Sequence, residues 1–184
     1  SGLFAKGGSS DLLITDNYIH HVAGDGLLVG GWTSAGSFLP GTDYEARDVV
    51  VTGNVVHDAA KRPLTVRGAE NVDIHGNYFG SLEGNEHAVL IGAGSPDLDP
   101  PPPSVNVSIR DNVFDRILNV FDIESSSTGI TIVDNRNDGV IDGDLRPTPP
   151  DALTAGFVDT LPDALLDMPV WGTSARYERS IGGT

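Results

Sequence analysis

The chain lacks cysteine and has few basic residues. Without cysteine, it can form neither a disulfide framework nor a zinc–thiolate site, and it has no cysteine nucleophile. Its 11 lysines and arginines stand against 26 acidic residues, a net charge of −15. Because phosphate binding needs basic patches, we expect no nucleic-acid partner. No segment approaches the roughly 18 apolar residues of a membrane span, and no signal peptide opens the sequence.

The composition is instead that of a turn-rich β protein. The 184 residues include 23 glycines and 12 prolines, with 39% hydrophobic residues, which favours an all-β fold over a helical bundle or a disordered chain. The length is that of one domain with a sizeable core.

An internal repeat is the strongest feature of the sequence. Each copy has apolar residues at alternate positions, the pattern of a strand with one buried face. The copies are DLLITDNYIHH from Asp11, DVVVTGNVVHD from Asp48, NVDIHGNYFGS from Asn71, NVSIRDNVFDR from Asn106 and GITIVDNRNDG from Gly129. A second apolar pair follows the first four copies, so each coil has at least two strands. The repeat predicts a right-handed parallel β-helix of about five coils.

One asparagine recurs at the same position of every copy: Asn17, Asn54, Asn77, Asn112 and Asn135. Residues repeated at one turn of each coil stack at the strand spacing of about 4.8 Å. Their amides can then bond to one another and to the turn backbone. We predict a structural asparagine ladder.

The domain boundaries follow from the extent of the repeat. Residues 1–144 are predicted to form the coils, and residues 145–184 an irregular cap or flanking tail. The segment SGLFAKGG resembles the last strand of an earlier coil. We therefore expect a longer solenoid of which this is the carboxy-terminal part, with upstream coils or a partner chain covering its amino-terminal edge.

Two insertions interrupt the repeat after the same strand column. Ladder asparagines are 23 residues apart from Asn54 to Asn77 and from Asn112 to Asn135, but 37 and 35 apart in the other two intervals. The extra residues fall in 30–47 and 92–104, on either side of the coil that contains Leu64 to Arg67. Because equivalent positions stack, these loops should form the walls of a cleft.

The strand ends in that column carry two cations. Lys6 and Arg67 should lie about two coils apart, roughly 10 Å, with a glycine between them leaving open space. A lysine can act as a base where its pKa is lowered, and an arginine can neutralise a carboxylate. We therefore take Lys6 and Arg67 as candidate catalytic residues. The alternative is that both are solvated turn residues.

The first loop is the candidate substrate-binding segment. It offers Trp32 and Tyr44 beside Arg47, and aromatic faces next to hydrogen-bonding groups suit sugar rings. The alternative is that the loop packs its own aromatics against the solenoid wall.

Histidines provide a further candidate. His20 and His57 occupy the same repeat position and should stack, with His21 and Asp58 adjacent. Proton transfer or metal binding is one interpretation and makes His57 a third catalytic candidate, whereas a plain stack is the other. Two acidic pairs have oxygen ligands of the kind that Ca²⁺ prefers, but neither fits a calcium loop, so we predict no metal site and no cofactor. The pairs are Asp97 with Asp99, and Asp142 with Asp144.

The repeat also resembles a known superfamily. Across residues 3–144, and above all in LFAKGGSSDLLITDNYIHH, GGWTS and DYEARDVVVTGNVVHD, the chain is similar to bacterial right-handed β-helix proteins of the pectate-lyase-like superfamily. This resemblance implies an extracellular or cell-surface location in a bacterium.

A shorter stretch adds an expectation about activity. The segment VRGAENVDIHGNYFG resembles the strand and turn that hold the carboxylate-neutralising arginine of alginate lyases and chondroitinase B, which implies that role for Arg67. The lysine of those enzymes lies on the adjacent coil, where this chain has Gly30, and Lys6 is one coil further away. Lys61 and Arg62 are candidate substitutes from a preceding turn.

Two functions follow as hypotheses. One is a lyase or epimerase that acts on an acidic, uronate-containing polysaccharide. The other is a non-catalytic solenoid that binds glycans or builds an assembly. Both make a polysaccharide or oligosaccharide the expected partner.

Overall fold

The computed structural model describes residues 1–80, 87–115, 117 and 119–138, which form an all-β structure. The predicted cap or tail at 145–184 lies outside these residues, as do Asp142 and Asp144. A single 3₁₀ turn, Ala35–Ser37, is the one helical element in the described part of the chain.

Fifteen strands, numbered in chain order, form three five-stranded sheets. Sheet A contains β1 (Leu3–Ala5), β4 (Leu27–Gly30), β7 (Leu64–Arg67), β10 (His87–Gly92) and β13 (Asn119–Ile123). Sheet B contains β2 (Ser9–Thr15), β5 (Ala46–Thr52), β8 (Ala69–His75), β11 (Val105–Arg110) and β14 (Thr131–Val133). Sheet C contains β3 (Tyr18–Val22), β6 (Val55–Ala59), β9 (Tyr78–Gly80), β12 (Val113–Asp115) and β15 (Arg136–Asp138).

Each coil contributes one strand to each sheet, and every pairing is parallel. The register matches the repeat, since Leu27 pairs with Leu64 and Val49 with Val72. The predicted parallel β-helix of about five coils is confirmed, and parallel crossovers favour the right-handed turn. The expected minimum of two strands per coil becomes three, because the residues after each ladder asparagine form sheet C.

The core lies between the three sheets and consists of the alternate apolar residues of the repeat. Leu64, Val66, Val72 and Ile74 are buried in the central coil. Each fully buried aliphatic side chain of this kind contributes about 1.5–3 kcal/mol. On sheet C the core includes aromatics, with the Phe79 and Phe114 rings stacked 5.5 Å apart.

The first position of every repeat copy has a left-handed backbone. These residues have φ between 54° and 67°, a conformation that Asp, Asn and Gly tolerate better than other residues. They are Asp11, Asp48, Asn71, Asn106 and Gly129. A second such column immediately precedes the ladder: Asp16, Gly53, Gly76, Asp111 and Asp134. The backbone thus explains why each copy begins with a small polar residue or glycine.

The asparagine ladder is confirmed. From Asn17 to Asn135, the side-chain Nδ2 of each ladder residue donates to the side-chain Oδ1 of the next, over distances of 2.8 to 3.0 Å. The same nitrogens also donate to turn carbonyls, such as Val51 O from Asn77. Asn54, Asn77 and Asn112 are buried, so these bonds satisfy polar groups that water does not reach.

Candidate functional site

Both insertions leave the solenoid at the A–B corner, the set of segments that join a sheet A strand to the following sheet B strand. The first loop connects β4 to β5, and the second connects β10 to β11. Since β4 and β10 flank β7 in sheet A, the two loops lie on either side of the coil that contains β7, as predicted. In that coil only Gly68 separates the two strands.

A buried carboxylate fixes the first loop to the solenoid. Glu45 is fully buried, and it accepts hydrogen bonds from the Thr33 N–H at 2.8 Å, the Thr33 hydroxyl at 2.6 Å and the Gly7 N–H at 3.2 Å. These three donors offset the cost of removing the charge from water. Its methylenes pack closely on three glycines of neighbouring segments: Gly30, Gly68 and Gly94. The repeat pattern does not reveal this anchoring role of Glu45.

A pocket of about 570 Å³ opens beside the anchored loop. Its walls include Phe4, Lys6 and Trp32, together with three serines, Ser9, Ser34 and Ser37. Trp32 and Phe4 are 63% and 59% exposed, which is unusual for large aromatic side chains. Lys6 Nζ lies 5.5 Å from the Phe4 ring centroid. The pocket is open to solvent, and its walls combine aromatic faces, hydroxyls and one cation.

Arg67 adjoins this pocket through Trp32. Its guanidinium lies 4.9 Å from the Trp32 ring centroid, donates to the Ala93 carbonyl at 2.9 Å and pairs with Glu124 Oε1 at 2.9 Å. The structure therefore brings Lys6, Trp32 and Arg67 to one corner. Sequence reasoning did not anticipate the pairing of Arg67 with Glu124.

The open space expected at Gly30, between Lys6 and Arg67, is wrong. The Arg67 carbonyl oxygen packs where a Cβ at Gly30 would stand, and Gly30 has φ 84°. At Gly92 the Glu124 carboxylate occupies the corresponding volume. Both glycines permit close packing between coils, and the Gly92 position allows Glu124 to reach across a coil to Arg67.

Tyr44 and Arg47 are engaged within the protein. Tyr44 is buried, and the Arg47 guanidinium stacks 3.7 Å from its ring centroid. Arg47 Nε and Nη2 both lie 2.8 Å from Glu70 Oε2. Tyr44 thus packs against the solenoid wall, whereas Trp32 of the same loop faces solvent.

Lys61 and Arg62 lie at the opposite end of sheet A. They belong to the turn before β7, whereas Arg67 is the last residue of that strand. Arg67 lies five positions after Arg62 along the chain, a distance on the order of 16 Å at the rise of a strand. Arg62 instead faces Asp25 Oδ1 at 4.0 Å. The structure does not bring this pair to the pocket.

His57 belongs to a different surface, on sheet C. It pairs in register with His20, and the rings stack with centroids 5.6 Å apart and planes 16° apart, so the predicted stack is confirmed. His57 Nε2 lies 2.8 Å from the Tyr18 hydroxyl, and Nδ1 lies 2.7 Å from Asp58 Oδ2. The structure does not bring His57 together with Lys6 and Arg67.

Burial perturbs two groups of this cluster. It lowers the pKa of His20 from 6.5, and the neighbouring His57 and His21 lower it further, against a raising effect of Asp58. Burial, followed by the Asp58 charge, raises the pKa of Tyr18 above 10.0. Near neutral pH His20 is therefore a neutral imidazole and Tyr18 a protonated phenol.

Within the described residues, no group of three or more histidine, aspartate or glutamate side chains is arranged to hold a metal ion. The same part of the chain contains no helix long and apolar enough to cross a membrane. No protein family, curated protein or solved structure was found to match the chain. The chain is a parallel β-helix with an aromatic, cationic pocket at one corner and a histidine cluster on another face.

Proposed function

We propose that this chain is a carbohydrate-active β-helix protein, extracellular or on a bacterial cell surface, that binds an acidic, uronate-containing polysaccharide at the A–B corner. The observation that carries the proposal is the exposed Trp32 ring, which has Lys6 in the same pocket and the Arg67 guanidinium 4.9 Å from its centroid. A sugar ring can stack its apolar face on an exposed indole. A carboxylate on that ring then pairs with Lys6.

The net charge of −15 does not oppose this assignment. At physiological ionic strength the Debye length is about 8 Å, so acidic groups on distant faces are largely screened from a ligand at the corner. Lys6 lies within direct contact range of that ligand. Local cations therefore decide the sign of the interaction.

Arg67 can bind a ligand carboxylate only if its guanidinium releases Glu124. Its ion pair with Glu124 has a glutamate side chain that is 37% exposed, and ion pairs open to water contribute little net stability. A uronate carboxylate placed over Trp32 would compete with Glu124 for the same guanidinium. Removing the Glu124 charge should therefore strengthen binding of an acidic glycan.

Calorimetric titration with oligouronates and with their carboxyl-reduced, neutral counterparts tests the proposal. Lys6→Ala and Trp32→Ala should each weaken oligouronate binding by about 10-fold or more, and Glu124→Gln should tighten it several-fold. Lys61→Ala is the matched control, since it removes the same charge at the far end of sheet A.

Two outcomes would contradict the assignment. One is equal affinity for the acidic and the neutral oligosaccharides. The other is an equal effect of Lys6→Ala and Lys61→Ala, which would show that only overall charge matters. The assembly alternative has weaker support in Leu13, which is 66% exposed on the outer face of sheet B, because single exposed apolar residues are common on protein surfaces.

A further inference from the structure

The histidine cluster on sheet C depends on an irregularity of its strands. His21 and Asp58 occupy equivalent positions, and both have φ 53°. In a regular strand, consecutive side chains point to opposite faces. Here the left-handed residue stands beside its predecessor, so His57 meets Asp58 at 2.7 Å and His20 Nδ1 meets His21 Nδ1 at 2.7 Å. A histidine in this conformation is uncommon.

A directed chain of hydrogen bonds results. His57 Nδ1 faces the Asp58 carboxylate, which can only accept, so Nδ1 carries the proton of the neutral ring and Nε2 is its acceptor. The Tyr18 hydroxyl, 2.8 Å from Nε2, therefore donates to it. His57 Nδ1–H then donates to the Asp58 carboxylate at 2.7 Å. The carboxylate fixes the tautomer and orientation of the imidazole and can stabilise its cation, the arrangement by which hydrolytic triads activate a hydroxyl.

We propose that Tyr18, His57 and Asp58 form a proton-transfer site in which the Tyr18 hydroxyl meets the substrate and the other two act through it. The inference rests on the proposed function for its substrate, a uronate residue whose C5 proton is acidified by the adjacent carboxylate. It makes the protein a lyase that acts at sheet C, a face separate from the binding corner.

The step balances without a metal or an external reagent. The Tyr18 proton passes to His57 Nε2 while the Tyr18 oxygen takes the C5 proton of the sugar. The electron pair of the C5–H bond forms a double bond to C4, and the bond from C4 to the linking oxygen breaks. The imidazolium, held by Asp58, returns its proton through Tyr18 to that oxygen.

The structure supplies a matched comparison in the same row of sheet C. Tyr78 lies in register two coils beyond Tyr18, with Val55 between them. Its hydroxyl donates to Asp115 Oδ2 at 2.6 Å, so a tyrosine at the same repeat position bonds to a carboxylate without an intervening imidazole. Tyr78→Phe therefore removes a similar hydroxyl and leaves the relay intact.

The experiment incubates the protein with a panel of uronate polymers in deuterium oxide. Unsaturated product is followed by ultraviolet absorbance, and exchange at C5 by proton NMR, which detects abstraction even where no bond breaks. Tyr18→Phe should lower both rates by about 100-fold or more and leave calorimetric binding unchanged. Tyr78→Phe should retain the wild-type rates, with folding checked by thermal unfolding.

Asp58→Asn provides a second readout should Tyr18→Phe fold poorly. Without the carboxylate, the imidazolium loses its partner, so the acidic limb of the pH–rate profile should move to lower pH. Full rates in Tyr18→Phe, or an unmoved profile in Asp58→Asn, would overturn the inference. The absence of both product and exchange with every polymer would also overturn it, while binding without turnover leaves the proposed function standing.

Discussion

Two of the three turns in each coil, the one between sheets B and C and the A–B corner, differ in a way that separates scaffold from function. The turn between sheets B and C is the same in all five coils, a left-handed residue followed by a ladder asparagine. The A–B corner ranges from the single Gly68 to residues 31–45. The stacked asparagine amides can bond to one another only where neighbouring coils are aligned, so the uniform turn holds the coils in register. The A–B corner repeats no residue from coil to coil, so its length and sequence can vary, and aromatic and charged groups come together there.

We therefore expect substitutions in the asparagine ladder to lower the stability of the protein more than substitutions at the A–B corner. In Asn77→Ala the protein loses an amide that bonds to Asn112, Asn54 and two turn carbonyls. Several buried groups are left unpaired, and we expect a loss of about 4 kcal/mol in the free energy of unfolding. Chemical denaturation measures it.

The control is Asn17→Ala, at the half-buried first position of the ladder, where the loss should be about 1 kcal/mol. Equal losses at Asn17 and Asn77 would show that the stacked amides do not depend on burial, and would remove the distinction between the ladder and an ordinary polar turn.

At the A–B corner, Glu45 is the residue whose substitution should lower the stability of the protein most. Glu45→Ala leaves the Thr33 and Gly7 donors without an acceptor, and we expect a loss of about 3 kcal/mol together with faster proteolysis of the first loop. Asp43→Ala is the control in the same loop, since the Asp43 side chain is 90% exposed and its ion pair should contribute less than about 1 kcal/mol. Similar losses in both variants would contradict the anchoring role.

The smallest effect that we expect is the pH dependence of stability caused by His20 on sheet C. Because the pKa of His20 is lowered in the folded state, the unfolded chain binds the proton more readily, and this contribution to stability is lost as pH falls below the unfolded value of about 6.5. The melting temperature should drop between pH 7.5 and pH 5.5, and less so in His20→Gln. Between pH 9 and pH 7.5 the two proteins should show the same trend, and identical slopes at lower pH would contradict the prediction.

The sequence was most informative where neighbouring coils repeat the same residue. The ladder, the registers of sheets A and B and the place of both loops all follow from stacking one repeat on the next. The stack of His20 on His57 was predictable for the same reason, since the two residues share a repeat position.

Two contacts between coils could not be read from the repeat. Glu124 directly follows β13 at the position equivalent to Arg67 but two coils away, and it reaches Arg67 over Gly92. Tyr18 reaches His57 from a different repeat position. Periodicity predicts contacts between equivalent residues of adjacent coils, so it reveals neither of these. The anchoring role of Glu45 was missed because the residue lies in the insertion, where the repeat has no counterpart. Exposure of Trp32 and burial of Tyr44 likewise depend on how one loop folds back on the wall.

The insertion between β4 and β5 has a practical consequence. Both of its flanking strands keep the register of the neighbouring coil, with Val29 opposite Val66 and Ala46 opposite Ala69, although that coil joins its strands through Gly68 alone. The length and chemistry of a loop at this site can therefore be changed while the strands of the neighbouring coils stay aligned. New ligand specificities can then be engineered on this scaffold by grafting loops between residues 34 and 44, so that Glu45 and its donor Thr33 are retained.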